Sequence, residues 1–175
     1  MTDDVRYPIG KWTPKPEVDA AACAALIEEI AGAPTALSAA VRGLTDAQLD
    51  TPYRSGGWTP RQIVHHVADS HMNAYIRFKL GVTEDGPTIK AYNEKTWAET
   101  VDGRGAPVDV SLAIIENLHR RWVQFLQALD SGALARTLIH PERGAMTLST
   151  LLQLYAWHGK HHTAHITGLR QRQGW

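Results

Sequence analysis

The sequence predicts an all-α protein, a four-helix bundle formed by residues 1–175 as a single domain. Three observations carry that prediction. Four long segments repeat apolar side chains at the 3.6-residue period of a helix. Strand-like alternation is absent outside a short stretch near Leu138 and Met146. The length of 175 residues suits one domain with a single core.

The first segment covers about residues 18–44, where Cys23, Leu26, Ile27 and Ile30 recur at i, i+3, i+4 and i+7, continued by Leu37, Val41 and Leu44. Pro34 falls inside it and is expected to break or kink the helix. Thr45 and Gln48 then form a capping-box pattern opening a short turn, followed by a loop over residues 50–57. The second helix has the clearest start: Thr59 caps, Pro60 suits the first helical position, and Gln62 completes the box. It should run to about Leu80. Residues 81–108 show no clean period, and so long an irregular stretch in a compact domain often covers a site.

The third helix covers residues 109–129, with Leu112, Ile115, Leu118, Trp122, Phe125 and Leu129 on one stripe and Gly132 as its expected stop. After a turn at residues 141–144, Thr147 caps a fourth helix reaching about Arg172. Helices of this length bury their stripes by packing against one another.

Composition narrows the function. Eighteen basic residues balance 18 acidic ones, so the basic excess of a nucleic-acid or acidic-membrane binder is missing. The single cysteine, Cys23, rules out a disulfide framework or a cysteine-based zinc site within one chain, and is expected to be a small buried residue. The N-terminal residues lack the apolar core of a secretory signal, and no uncharged run approaches bilayer-spanning length. A cytoplasmic setting is the expectation.

Nine histidines stand out, four of them between positions 158 and 165. Imidazoles at i and i+4 project from one helix face and suit a zinc-type ion. Two such pairs exist, His158/His162 and His161/His165. Taking the centre of the stripe Leu148, Leu151, Leu152, Tyr155, Ile166 and Leu169, His162 lies about 20° away, His158 about 60°, His165 about 80° and His161 about 120°. The inward pair is therefore His158/His162, with His161 expected on the surface and His165 on the flank. A third ligand must come from the second helix, where periodicity leaves His66 or His71 open and places His65 behind them. His66 shares a polar stripe with Ser70, Asn73 and Arg77. His119 either packs locally or supports a ligand from behind, and His140, before Pro141, is expected to be exposed.

The stretch GGWTPRQIVHHVADSHMN at residues 56–73 resembles the second helix of the DinB/YfiT superfamily, and YAWHGKHHTAHI at residues 155–166 resembles its ligand helix. Residues 7–10, 50–54 and 76–80 are similar to the YfiT branch in particular. The likeness covers nearly the whole chain in order. It implies a four-helix bundle of the DinB/YfiT type, a homodimer, and one zinc or nickel ion per chain held by three histidines. The family's first ligand, the second His of the His-His pair, matches His66; the other two match His158 and His162. Members of the branch have been described as metal-dependent hydrolases, and related bundles are S-transferases or isomerases using thiols such as bacillithiol or mycothiol.

An ion held by three neutral histidines keeps an open position, where a water loses its proton near neutrality and a thiol ionises more easily still. The resemblance tips the expectation towards transfer of a low-molecular-weight thiol to an electrophile, with hydrolysis as the alternative. Asp69, Ser70, Asn73, Arg77 and Arg54 are candidates to orient a small-molecule substrate. A non-catalytic metal-binding or sensor protein is the competing reading, as is a bundle that binds no metal and serves oligomerisation.

Overall fold

The structure, a computed structural model, describes residues 4–175, so the first three residues of the N-terminal segment lie outside it. Four long helices make the bundle: α1 (Ala20–Val41), α3 (Pro60–Thr83), α6 (Val108–Gln127) and α8 (Leu148–Gln173). Between them lie α2 (Asp46–Leu49), α4 (Glu94–Ala98), α5 (Val101–Gly105), α7 (Ser131–Ala135) and a hairpin of β1 (Thr137–His140) and β2 (Gly144–Thr147). The hairpin occupies the one stretch where the sequence shows alternation, with Leu138 opposite Met146.

Starts are encoded locally. Thr45 and Thr59 both close full capping boxes with Gln48 and Gln62, and Thr147 accepts from the Thr150 N–H. Each such cap satisfies an end donor that would otherwise lack a partner. Ends are less legible: α3 runs on to Thr83, and α6 stops at Gln127, which places Gly132 inside α7 and not at the end of α6.

Packing gives an order that the sequence does not reveal. Helix α1 packs on α6 and α8, and α3 packs on the same two, so the successive long helices α1 and α3 stand at opposite corners. One core cluster gathers Ile30, Phe78, Trp122, Leu148 and Leu152; a second gathers Leu37, Ile63, Val64, Ile115 and Ile166. Among the described residues α1 alone is long and apolar enough to cross a membrane by length and composition, with mean hydropathy 1.3. Here it forms one wall of the bundle.

Pro34 does not break α1; the helix continues through it. A proline has no N–H for the carbonyl four residues back, so the Ile30 carbonyl is left without its helical donor. That carbonyl accepts instead from His119 Nδ1 of α6 at 2.7 Å.

Candidate metal centre

Because α3 and α8 are neighbours, His66 meets His158 and His162. The ligand atoms of these three residues all lie within 4.8 Å of one another. His66 Nε2 faces His158 Nε2 at 3.3 Å. The other ring pairs are edge-on, with centroids 4.7 Å apart for His66/His162 and 4.5 Å for His158/His162. Trp58 forms a wall behind them, 4.6 Å from the His66 ring and 6.1 Å from that of His162.

Burial keeps all three rings neutral at ordinary pH. It pushes His66 down to about 4, with the nearby His161 adding to the effect. His158 and His162 are driven well below the usual imidazole range by burial first and by their neighbouring histidines second. Neutral rings have lone pairs to offer a cation. His162 Nδ1 is buried without a partner among the described residues.

Behind His158 runs a hydrogen-bonded chain of histidines. His158 Nδ1 meets His71 Nε2 at 3.1 Å, His71 Nδ1 meets His119 Nε2 at 2.7 Å, and His119 Nδ1 meets the Ile30 carbonyl. Burial lowers His71 and His119 as well, so every ring in the chain is neutral. A carbonyl can only accept, which makes His119 Nδ1 the proton-bearing atom. His119 Nε2 must then accept from His71 Nδ1–H, and His71 Nε2 from His158 Nδ1–H. His158 Nε2 is left unprotonated, pointing at His66. The chain crosses α8, α3, α6 and α1, and its direction is set by the carbonyl that Pro34 frees. Gly159 permits this close packing: a Cβ there would sit 3.2 Å from Ala33 Cβ and 3.7 Å from His71 Cε1.

The three histidines open on a cavity of about 440 Å³, walled by Ser70, Arg77, Tyr92, Tyr155 and Trp157, with exposed Tyr7, Glu94, Glu142 and Arg143 at its rim. A larger cavity of about 700 Å³ lies elsewhere, lined by Cys23, Leu134 and Gln153, without any comparable cluster of ligating side chains among the described residues. Chemistry, not volume, selects the smaller one. Cys23 is only half-buried at that larger cavity, short of the full burial expected for it.

Several expectations change. His161 is buried, not on the surface: it stacks on Trp157 at 4.2 Å between centroids, with Tyr7 6.2 Å away. His140 is also buried, because strand pairing carries it into the cavity wall. His65 is tied to Ser111 Oγ at 2.7 Å and to the Ala106 carbonyl at 3.0 Å, away from the cluster. His71 is fully buried but sits one hydrogen bond behind His158. Of the candidate orienting groups, Ser70 and Arg77 line the cavity. Asn73 donates back to the Asp69 carbonyl, and Arg54 lies over Tyr53. Asp69 is half-buried, and burial pushes its carboxyl up to about 6. Tyr92 had no sequence signal; the irregular stretch carries it over the cavity, where burial raises its phenol to about 12.

Known proteins share this architecture. The sequence pattern of the DinB superfamily matches residues 29–166. A Bacillus cereus protein named "Putative metal-dependent hydrolase" is 54% identical over 173 residues, 99% of each chain. A Bacillus thuringiensis relative with the same description matches to the same extent. Bacillus subtilis YfiT, described as a probable metal-dependent hydrolase with an unusual four-helix bundle topology, superposes with a TM-score of 0.96 at 46% identity, covering 98% of this chain and 99% of that one. A second four-helix bundle protein, TT2238, is 20% identical with a TM-score of 0.56, which speaks to the fold alone. The chain belongs to the DinB superfamily, on its YfiT branch.

Proposed function

We propose that His66, His158 and His162 hold one divalent ion of the zinc or nickel type, and that this chain is a metal-dependent enzyme acting on a small molecule in the adjoining cavity. One observation carries the reading: His66 and His158 present Nε2 atoms to each other at 3.3 Å inside a cluster of neutral rings. Nitrogens held at 2.0–2.1 Å from a tetrahedral ion stand about 3.3–3.4 Å apart, a spacing the His66–His158 pair already has, and the His162 donor lies within 4.8 Å of both. The tautomer of His158 fits too, since its Nε2 bears no proton to be displaced. An ion in such a three-nitrogen site keeps an open position and lowers the pKa of a water or thiol bound there.

The residues around the cluster divide the remaining work. Trp58, Trp157 and Tyr155 exclude bulk water from the histidines, which strengthens electrostatic effects inside the cavity. The His71–His119–Ile30 chain fixes the ring plane of His158 from behind, in the manner of outer partners that orient metal ligands. Hydrolysis is the first reading, supported by the description shared by relatives more than half identical to this chain.

Transfer of a low-molecular-weight thiol is the second, and one observation favours it. Among the described residues no carboxylate hydrogen-bonds any of the three rings, and the acids lining the cavity, Glu94 and Glu142, are exposed at its rim. A thiol gives up its proton more readily than water and has less need of a buried base. Elemental analysis of untagged protein should find one ion per chain, and a cobalt-loaded sample should then separate the two chemistries. A sulfur-to-metal absorption band on adding thiol, with electrophile consumed only when thiol is present, supports transfer. Ester or amide cleavage without thiol supports hydrolysis. Protein that stays metal-free after loading with zinc overturns both, and a metal-loaded protein inert across broad panels leaves the sensor reading.

A further inference from the structure

We propose that the substrate carries an anionic group, a carboxylate or a phosphate, and that Arg77 binds it while the reacting centre lies at the three histidines. The proposal rests on the metal-site reading above and adds a substrate class to it.

Two arginines of α3 are buried to the same degree, Arg61 at 6% exposure and Arg77 at 8%. Their partners differ. Arg61 donates through Nε to Asp50 at 2.7 Å, through Nη2 to Asp46 at 2.8 Å and through Nη1 to the Ala106 carbonyl at 3.1 Å. Arg77 donates only to neutral groups: Nη1 to the Tyr155 hydroxyl at 3.1 Å and Nη2 to the Lys90 carbonyl at 3.2 Å. Its Nε is buried with no partner among the described residues. Among the described residues no carboxylate pairs with it; the ion pairs involve Arg6, Arg61, Arg104 and Lys160. A buried cation without a counter-ion is unfavourable unless something supplies the missing charge.

The place of Arg77 says what that something is. Its side chain lines the same cavity as His66, His158 and His162. It follows His66 by eleven residues, about 20° around the helix and about 16 Å along it, and helical side chains lean back towards the N-terminus. Tyr155 joins the two subsites: its ring lies 5.7 Å from that of His158 while its hydroxyl holds the guanidinium. A planar guanidinium with free donors matches a carboxylate or phosphate in two-point contact. The substrate that completes the cavity therefore carries its anion several bonds from the atom that reacts.

The test uses cobalt-loaded protein titrated with mercaptocarboxylates of increasing chain length, each beside the neutral mercaptoalcohol of equal length. The sulfur-to-metal band reports occupancy for both. At a favoured length the carboxylate should bind about 10- to 100-fold more tightly than the alcohol, the range expected of a charged hydrogen-bonded pair. Arg77→Gln should abolish that preference and leave the alcohol's affinity where it was; Arg77→Lys, which keeps the charge without the fork, should retain part of it and serves if the glutamine variant does not fold. No carboxylate preference at any length, or a preference that survives in Arg77→Gln, overturns the proposal. Absence of the band with both series counts against the metal reading alone. Calorimetry of glutarate with metal-free protein then decides for Arg77: binding lost in the variant upholds it, and no binding to the wild type overturns it.

Discussion

The Nε2 side of His158 looks across a cavity at His66 and His162, with exposed residues at the rim. Its Nδ1 side looks into the bundle, where His71 and His119 are almost fully enclosed among Trp122 and Tyr155. One side gathers ring nitrogens around a shared cavity, and the other pairs every nitrogen until the chain ends on a carbonyl. The same residue type thus serves two ends: rings open to a ligand, and rings fully committed to holding one of those open rings in place. The difference lies in what terminates each set, a cavity or the Ile30 carbonyl.

Replacing His162 should strike hardest. His162→Ala should weaken zinc retention beyond the about 10- to 100-fold typical of losing an outer partner. His161→Ala should leave retention nearly intact, since its ring stacks on Trp157 outside the three-histidine cluster. Chelator competition measures both, and equal losses would put His161 among the ligands.

The enclosed side should matter less, but measurably. His119→Leu leaves His71 without its acceptor, and zinc affinity should fall about 10- to 100-fold. Imidazole ¹⁵N shifts of metal-free protein supply an independent reading: His158 should carry its proton on Nδ1 in the wild type and distribute it over both nitrogens in the variant. An unchanged His158 signal would show that the chain does not set its tautomer.

Acid should act on both sides together. The folded-state values of these histidines lie below the ordinary one, about 4 for His66 and His161, so the unfolded chain takes up protons first as pH falls. Their stabilising contribution is complete above about pH 6.5 and is lost between about 6.5 and 4. Denaturant midpoints of metal-free protein across that window should decline steadily with acidification, and a flat profile would contradict the burial of the rings.

Pro34→Ala should give the smallest effect on binding. Alanine restores an N–H to the Ile30 carbonyl, which then shares its two lone pairs between helix and His119. Zinc affinity should drop only a few-fold, while thermal stability rises because alanine is favoured over proline in a helix interior by up to about 3 kcal/mol. Opposite signs for affinity and stability are the signature; a fall in both would mean that Pro34 supports the packing of α1 for another reason.

Much of this architecture could be read from residue order. Thr59-Pro60 with Gln62, and Thr147 before the histidine helix, set the starts of α3 and α8 within a residue, because capping is a contact among four adjacent residues. Stripe geometry brought His158 and His162 inward together, and the structure places both beside His66. Where the reading failed, a distant segment had intervened. His161 was expected outside because helix phase treats α8 alone, whereas Tyr7 reaches over it and the Arg6 carbonyl approaches His165 Nε2 at 3.2 Å. The polar face of α3 is covered by the stretch after it, with Gln62 donating to the Ala98 carbonyl and Arg77 to that of Lys90.

Periodicity and capping, which depend on neighbours within a few residues, determined the four long helices and the inward histidine pair. The likeness of residues 56–73 and 155–166 to known relatives added the choice of His66. Only the tertiary structure decided that α1 and α3 stand at opposite corners, that Pro34 leaves α1 intact and frees Ile30 for His119, and that Arg77 lies buried with no carboxylate partner among the described residues. Those features depend on which helices become neighbours. That choice is made by the fit of whole surfaces far apart in sequence, and no local pattern encodes it.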